Sequence, residues 1–149
     1  LVMGDDLAGM TACARASQVP VGADEGFHSM HDILAHHACG AAHGGSLKTI
    51  KLGGLWPVVK AAHRMAELGM RVNLAGKVAD TSIASAAIAH LAVALPQVDW
   101  DVSVTNQYLL DDVVTEPLRI VDGRVRPTDS PGLGITVDEA KLREYRAIR

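Results

Sequence analysis

Apolar positions along the chain follow two periods, one helical and one extended. Between residues 5 and 17, Leu7, Met10 and Ala14 recur on one helical face with Ala8 beside them, and Asp5 or Asp6 is placed to cap the start. Val19-Pro20-Val21-Gly22-Ala23 predicts a strand, with Pro20 tolerated near its beginning. Ser29 caps a second helix running to about Cys39, and Gly40 to Gly45 breaks it. Ser46 to Leu52 reads as a buried strand that enters a loop at Gly53-Gly54. A helix from Trp56 to Leu68 follows, stopped by Gly69. Met70 to Leu74 predicts a strand leading into Ala75-Gly76-Lys77, and Thr81 to Leu95 an alanine-rich helix ended by Pro96. Val98 to Val102 is a weaker strand.

The strand starts recur at roughly 26-residue intervals, each but the last followed by a helix, which implies parallel strands joined by right-handed crossovers. After Tyr108 the pattern changes. Leu118 to Val121 and Arg124 to Arg126 flank Asp122-Gly123, a strong hairpin signal. Pro131-Gly132-Leu133-Gly134 is a turn, and Val137 to Arg146 a short amphipathic helix. The expected fold class is α/β: about four βα units forming half of a TIM-type (β/α) barrel over residues 1–115. A hairpin and short helix follow over 116–149. Eight units close such a barrel, so four leave it open. The start at Leu1-Val2-Met3-Gly4, with neither an initiator Met nor a strand, reads as a cut in a βα loop.

Composition narrows the class without naming a function. The chain has 149 residues, 48% hydrophobic but only 3% aromatic, which suits a tightly packed α/β core. A formal charge of −3 gives no electrostatic footprint for nucleic acid or an anionic membrane. Cys13 and Cys39 lack paired-cysteine spacing, and no leader or long apolar run is present. A reduced, cytoplasmic setting is therefore expected.

Parallel βα folds collect functional groups at the carboxyl ends of their strands. Those ends carry Asp24-Glu25, then Lys48 with Lys51, then Lys77, then Asp99-Trp100-Asp101. Lysine is seldom buried, so Lys48 within an apolar run is an anomaly that asks for a use. Asp24 can offer one carboxylate oxygen to a hard divalent cation. A lysine near such a cation and a second ammonium has its charged form disfavoured, which suits it to act as a general base. A cation on a substrate carboxylate would stabilise the enediolate left when the α-proton is removed.

Pro20-Val21-Gly22-Ala23-Asp24-Glu25, Lys48-x-x-Lys51-x-Gly53-Gly54, the helix through His90-Leu91-Ala92, and Pro131-Gly132-Leu133-Gly134 occur in that order. This ordered set resembles the C-terminal barrel half of the enolase superfamily, in its muconate lactonizing enzyme and mandelate racemase-like branch, from about Asp5 to Arg146. The resemblance implies Mg²⁺, with Mn²⁺ as a substitute, held partly by Asp24, with Lys48 as a catalytic base. It gives Lys51 an electrostatic role and Glu25 a supporting one. Lys77, where many relatives carry an acid, is a candidate for a substrate carboxylate, and Asp99 and Asp101 resemble an acidic pair that holds a substrate ammonium. The hairpin and last helix resemble the segment returning to a capping domain. That domain, a partner lysine and two further metal ligands have no counterpart in this chain. The implied activity is abstraction of the proton α to the carboxylate of a small molecule, as a racemase, epimerase or cycloisomerase. Dehydration of a hydroxy acid on the same scaffold is the alternative, and the intact protein is expected to be a homo-oligomer.

Other features read more plainly. His36, Cys39 and His43 have a spacing that zinc ligands can use, but Gly40 interrupts their helix. His90 is expected to be packed or capped, Trp56 to pack, and Trp100 to line a pocket. Gly53-Gly54 is too short a glycine signal for a phosphate loop. Rival readings are a non-catalytic α/β module and, last, a flavodoxin-like sheet, which lacks the Gly-rich turn after its first strand.

Overall fold

The computed structural model describes residues 2–146; Leu1 and the last three residues of the 116–149 segment lie outside it. Its elements run α1 (Leu7–Ala16), β1 (Gly22–Ala23), α2 (Met30–Ala38), β2 (Gly44–Leu47), α3 (Thr49–Leu52), α4 (Leu55–Glu67), β3 (Arg71–Ala75), α5 (Ser82–Ala94), β4 (Val98–Ser103) and α6 (Glu139–Glu144). The strands form one sheet in the order β1-β2-β3-β4. β1 pairs parallel with β2, Ala23 opposite Gly45, and β2 pairs parallel with β3, Leu47 opposite Leu74. The expected α/β class with a parallel sheet is what the chain adopts.

Contacts gather the chain into two compact units that interleave in sequence. One holds 1–75 and 95–102, the other 76–94 and 103–149. In the first unit, Ile33, Leu47, Val58, Met65, Val72 and Leu74 are buried and form much of the core. Asp6 caps α1 by accepting from the Gly9 amide at 2.8 Å, and Ser29 caps α2 by accepting from the Asp32 amide at 3.2 Å. Trp100 lies against Gly22: a Cβ there would sit 2.7 Å from the indole. Because β1 and β4 are at opposite ends of the strand order, this contact means the sheet curls over its own face, with Trp100 filling the concavity. That is barrel curvature, and it gives the half-buried Trp100 a packing contact across the sheet.

The stretch at 44–52 differs from the sequence expectation. Gly44 and Gly45, read as a break, are the first half of β2, whereas Thr49–Leu52 is a turn of helix and not strand. The reason is close approach. A Cβ at Gly44 would stand 2.3 Å from the Arg71 carbonyl oxygen, and one at Gly45 2.2 Å from that of Ala23. The glycines therefore let β2 pass between its neighbours and do not punctuate it. Strand β1 is likewise reduced to two residues.

In the second unit Asp112 caps α5, its Oδ2 accepting from the Ser82 amide at 2.8 Å, and the Ser82 hydroxyl accepts from the Leu118 amide. Nε2 of His90 meets the Leu133 carbonyl at 3.3 Å. The Asp122-Gly123 turn forms with positive φ at both residues, as a type I′ turn requires. Its arms, however, share only the Val121–Arg124 bridge and are not strands. α6 begins later than expected, where Asp138 caps the Ala140 and Lys141 amides.

Candidate functional site

Asp24 and Lys48 follow directly on β1 and β2, two neighbouring parallel strands. Their side chains meet: Lys48 Nζ is 2.8 Å from Asp24 Oδ1 and 3.1 Å from Oδ2. It also reaches Glu25 Oε1 at 3.3 Å. Lys51 Nζ donates to Glu25 Oε2 at 2.8 Å and to the backbone carbonyl of Asp24 at 2.9 Å. Residues 48, 51, 24 and 25 thus form one interlocked cluster at the carboxyl ends of β1 and β2.

The local fold explains the convergence. In an extended chain, residues three apart point to opposite faces. The helical turn α3 brings the side chains at 48 and 51 to one side. Gly53 ends that turn at φ +90°, its amide and that of Gly54 both donating to the Thr49 carbonyl. With both amides so used, this double glycine is no phosphate cradle. The lysines are sheltered, with 13% and 10% of their side chains exposed, while Asp24 and Glu25 stand 52% and 68% exposed.

Electrostatics follow the geometry. Hydrogen bonds from Lys51 and then Lys48 lower the Glu25 carboxyl to about 2. Burial alone would lower the Lys48 ammonium, but hydrogen bonding and charge from Asp24, reinforced by Glu25, outweigh it and raise its pKa. With Asp24 and Glu25 as its neighbours the Lys48 ammonium is held charged; the base-like lysine expected from the sequence is one beside a bound cation.

The other candidates do not join the cluster. Asp99 is the second residue of β4 and bonds the guanidinium of Arg71 at 2.8 Å and the Val72 amide at 3.0 Å. Arg71 opens β3, so Asp99 lies towards the strands' amino ends, away from the end that carries Lys48. Asp101 is in the interior of β4, exposed, at φ +125°. Both flank Trp100 in an alternating strand, which turns them from the concave face that the indole fills. Strand-end placement therefore no longer supports either as a substrate ligand. Lys77 is exposed in the loop after β3, its amide donating to Asp80 Oδ2, and its ammonium has no ion pair among the described residues.

The histidine–cysteine trio does not converge. His36 is buried, with Nδ1 bonded to the Asp32 carbonyl at 2.8 Å, whereas His43 Nδ1 accepts from the Val21 amide and Cys39 is exposed. Trp56 is 65% exposed, not packed, and Lys60 lies over its ring at 5.7 Å. Composition gave no sign that His36 would sit beneath the Asp24 turn; its only signal was i, i+3 spacing from Ile33 on the buried face of α2. A cavity of about 820 Å³ lies in the second unit, between Thr115 and Thr136, and holds none of the candidate residues.

Asp24 fits a hard cation as one oxygen donor. Among the described residues, no three His, Cys, Asp or Glu side chains are grouped to hold a metal. Among the described residues Asp24 could therefore supply only part of a cation's donor set.

A family model described as "Enolase C-terminal domain-like" matches residues 1–141. Muconate cycloisomerase 1 of Pseudomonas putida is 32% identical over 93% of this chain and 37% of that enzyme. An N-succinyl-L-Arg/Lys racemase of Bacillus cereus is 28% identical over 96% of the chain and 38% of the racemase. Among solved structures, a muconate lactonizing enzyme from Pseudomonas fluorescens complexed with muconolactone superposes with a TM-score of 0.91 at 26% identity. It is covered over 39% of its length by 98% of this chain. The chain thus spans about two fifths of the relatives it matches. With a family match over nearly its whole length and a parallel, curling sheet that carries Asp24 and Lys48 at adjoining strand ends, the chain belongs to the enolase C-terminal domain-like family.

Proposed function

We propose that this chain supplies part of an active site that removes the proton α to a carboxylate on a small-molecule substrate. The observation that supports this reading most is the 2.8 Å contact between Lys48 and Asp24 at neighbouring strand ends. A proton-carrying nitrogen and a metal-competent carboxylate there share one mouth. Mg²⁺ or Mn²⁺, held by Asp24 with donors from outside the described residues, would oppose the negative charge that develops on the substrate carboxylate. The chain's own residues divide the rest. Lys48 Nζ is the atom that would accept the α-proton; its ammonium must first release a proton to solvent, which a cation at Asp24 would favour by drawing off the carboxylate that holds it charged. Lys51 holds the Asp24 backbone and the Glu25 carboxylate in place. Racemisation, epimerisation, cycloisomerisation and elimination of a hydroxy acid all include a proton transfer at the carbon α to a carboxylate, and relatives named cycloisomerase, racemase and synthase support that shared step.

Exchange of the substrate α-proton with solvent tests the reading, in a longer protein that carries this chain within a whole barrel. Lys48→Ala should slow exchange by about 10²–10⁴-fold, the range of a lost acid–base group. Exchange at the original rate would remove Lys48 from the mechanism.

A further inference from the structure

The turn that carries Asp24 and Glu25 is closed by the Phe27 amide donating to the Asp24 carbonyl at 3.2 Å. Both of its remaining residues rest on one side chain, His36 of α2. A Cβ on Gly26 would lie 2.7 Å from His36 Nε2. The Phe27 ring meets the imidazole edge-on, with centroids 5.1 Å apart. Phe27 also lies against Gly45 of β2, where a Cβ would sit 2.5 Å from its ring. The imidazole is therefore packed beneath the turn and, through Phe27, against the strand that leads to Lys48.

The chemistry of the ring is as pointed as its position. The Asp32 carbonyl can only accept, so the 2.8 Å bond places a ring proton on Nδ1; in the neutral imidazole Nε2 is then an acceptor. That nitrogen is sealed from solvent and has no hydrogen-bond partner among the described residues. An aliphatic side chain could fill the space without stranding a buried acceptor, so the histidine stands at a cost to stability.

We propose that His36 is a positioning residue, a wedge locked by Asp32 and Phe27 that sets the Asp24–Glu25–Gly26 turn for its contact with Lys48. The inference rests on the proposed function only in that Asp24 and Lys48 are used together. Its test needs no catalysis, so the two fail separately.

The readout is the ¹⁵Nζ–¹H signal of the Lys48 ammonium in this chain, whose hydrogen exchange should be slowed while Asp24 and Glu25 hold it. His36→Ala should speed that exchange by about five- to tenfold, the equivalent of losing one hydrogen bond. Ile33→Ala, an equally buried truncation on the same helix, should leave it within about twofold although it opens a larger cavity. His36→Leu keeps the site filled and should also speed exchange while unfolding at an equal or higher temperature than the parent. Unchanged exchange in folded His36→Leu, or equal acceleration by Ile33→Ala and His36→Ala, would overturn the proposal.

Discussion

Glu25 shows what two lysines on the following segment do to an exposed carboxyl group. Lys51 and Lys48 favour its charged form, so its pKa falls from 4.5 to about 2. The contribution of these pairs to stability is present above the unfolded value and fades as pH falls through about 2. Lys48 runs the other way: its raised pKa makes its share fully present below 10.5 and lost as pH climbs through the folded value. Because Glu25 is mostly exposed, added salt should weaken the effect. A carbon-13 NMR titration of the Glu25 carboxyl should find a midpoint near 2, and Lys51→Met should move it back up towards 4.5. An ordinary midpoint in the parent would mean that the lysines do not hold Glu25 in solution.

At the scale of elements, the informative segment is β2 with α3. Its apolar period and two lysines were legible in the sequence, and so was a strand reaching Lys48, although the apolar run carries that strand on to Leu52. The helical turn at Thr49–Leu52 was not, because Thr and Ile favour extended structure, and local propensity yields here to the closure made by Gly53. Nor was the role of Gly44 and Gly45, since glycine reads locally as a break. What demands it is the approach of Ala23 and Arg71, residues 22 and 27 positions away. Gly45→Ala should therefore cost roughly 1–3 kcal/mol through overpacking, measured by urea unfolding. Gly40→Ala, at φ +62° with open space around its Cβ, should cost only about 1 kcal/mol for the left-handed backbone. Equal losses at the two positions would show that close approach is not what β2 requires.

At the scale of the whole molecule, the chain belongs to its family along almost its full length yet spans about two fifths of its relatives. Asp24 offers a single carboxylate, and its oxygens are already engaged by Lys48. Calorimetric titration of Mg²⁺ into this chain should accordingly give a dissociation constant of about a millimolar or weaker. Micromolar affinity would contradict the view that Asp24 is only one part of a shell. Among the described residues no helix is long and apolar enough to cross a membrane, in line with the absence of a long apolar run from the sequence.

The longer helices, the parallel βα grammar and the placing of Asp24 and Lys48 on successive βα units could be read from the sequence alone. These follow from hydrophobic period, caps and stops, all written within a few residues of where they act. Only the tertiary structure decided that Lys51 clasps the Asp24 backbone, that Asp99 pairs with Arg71 towards the other rim, and that His36 lies beneath the turn. Each of those contacts joins residues well separated along the chain or depends on which face a strand presents. Register, pleat and sheet curvature select such partners, and they are set by packing of the whole sheet rather than by any local run of residues.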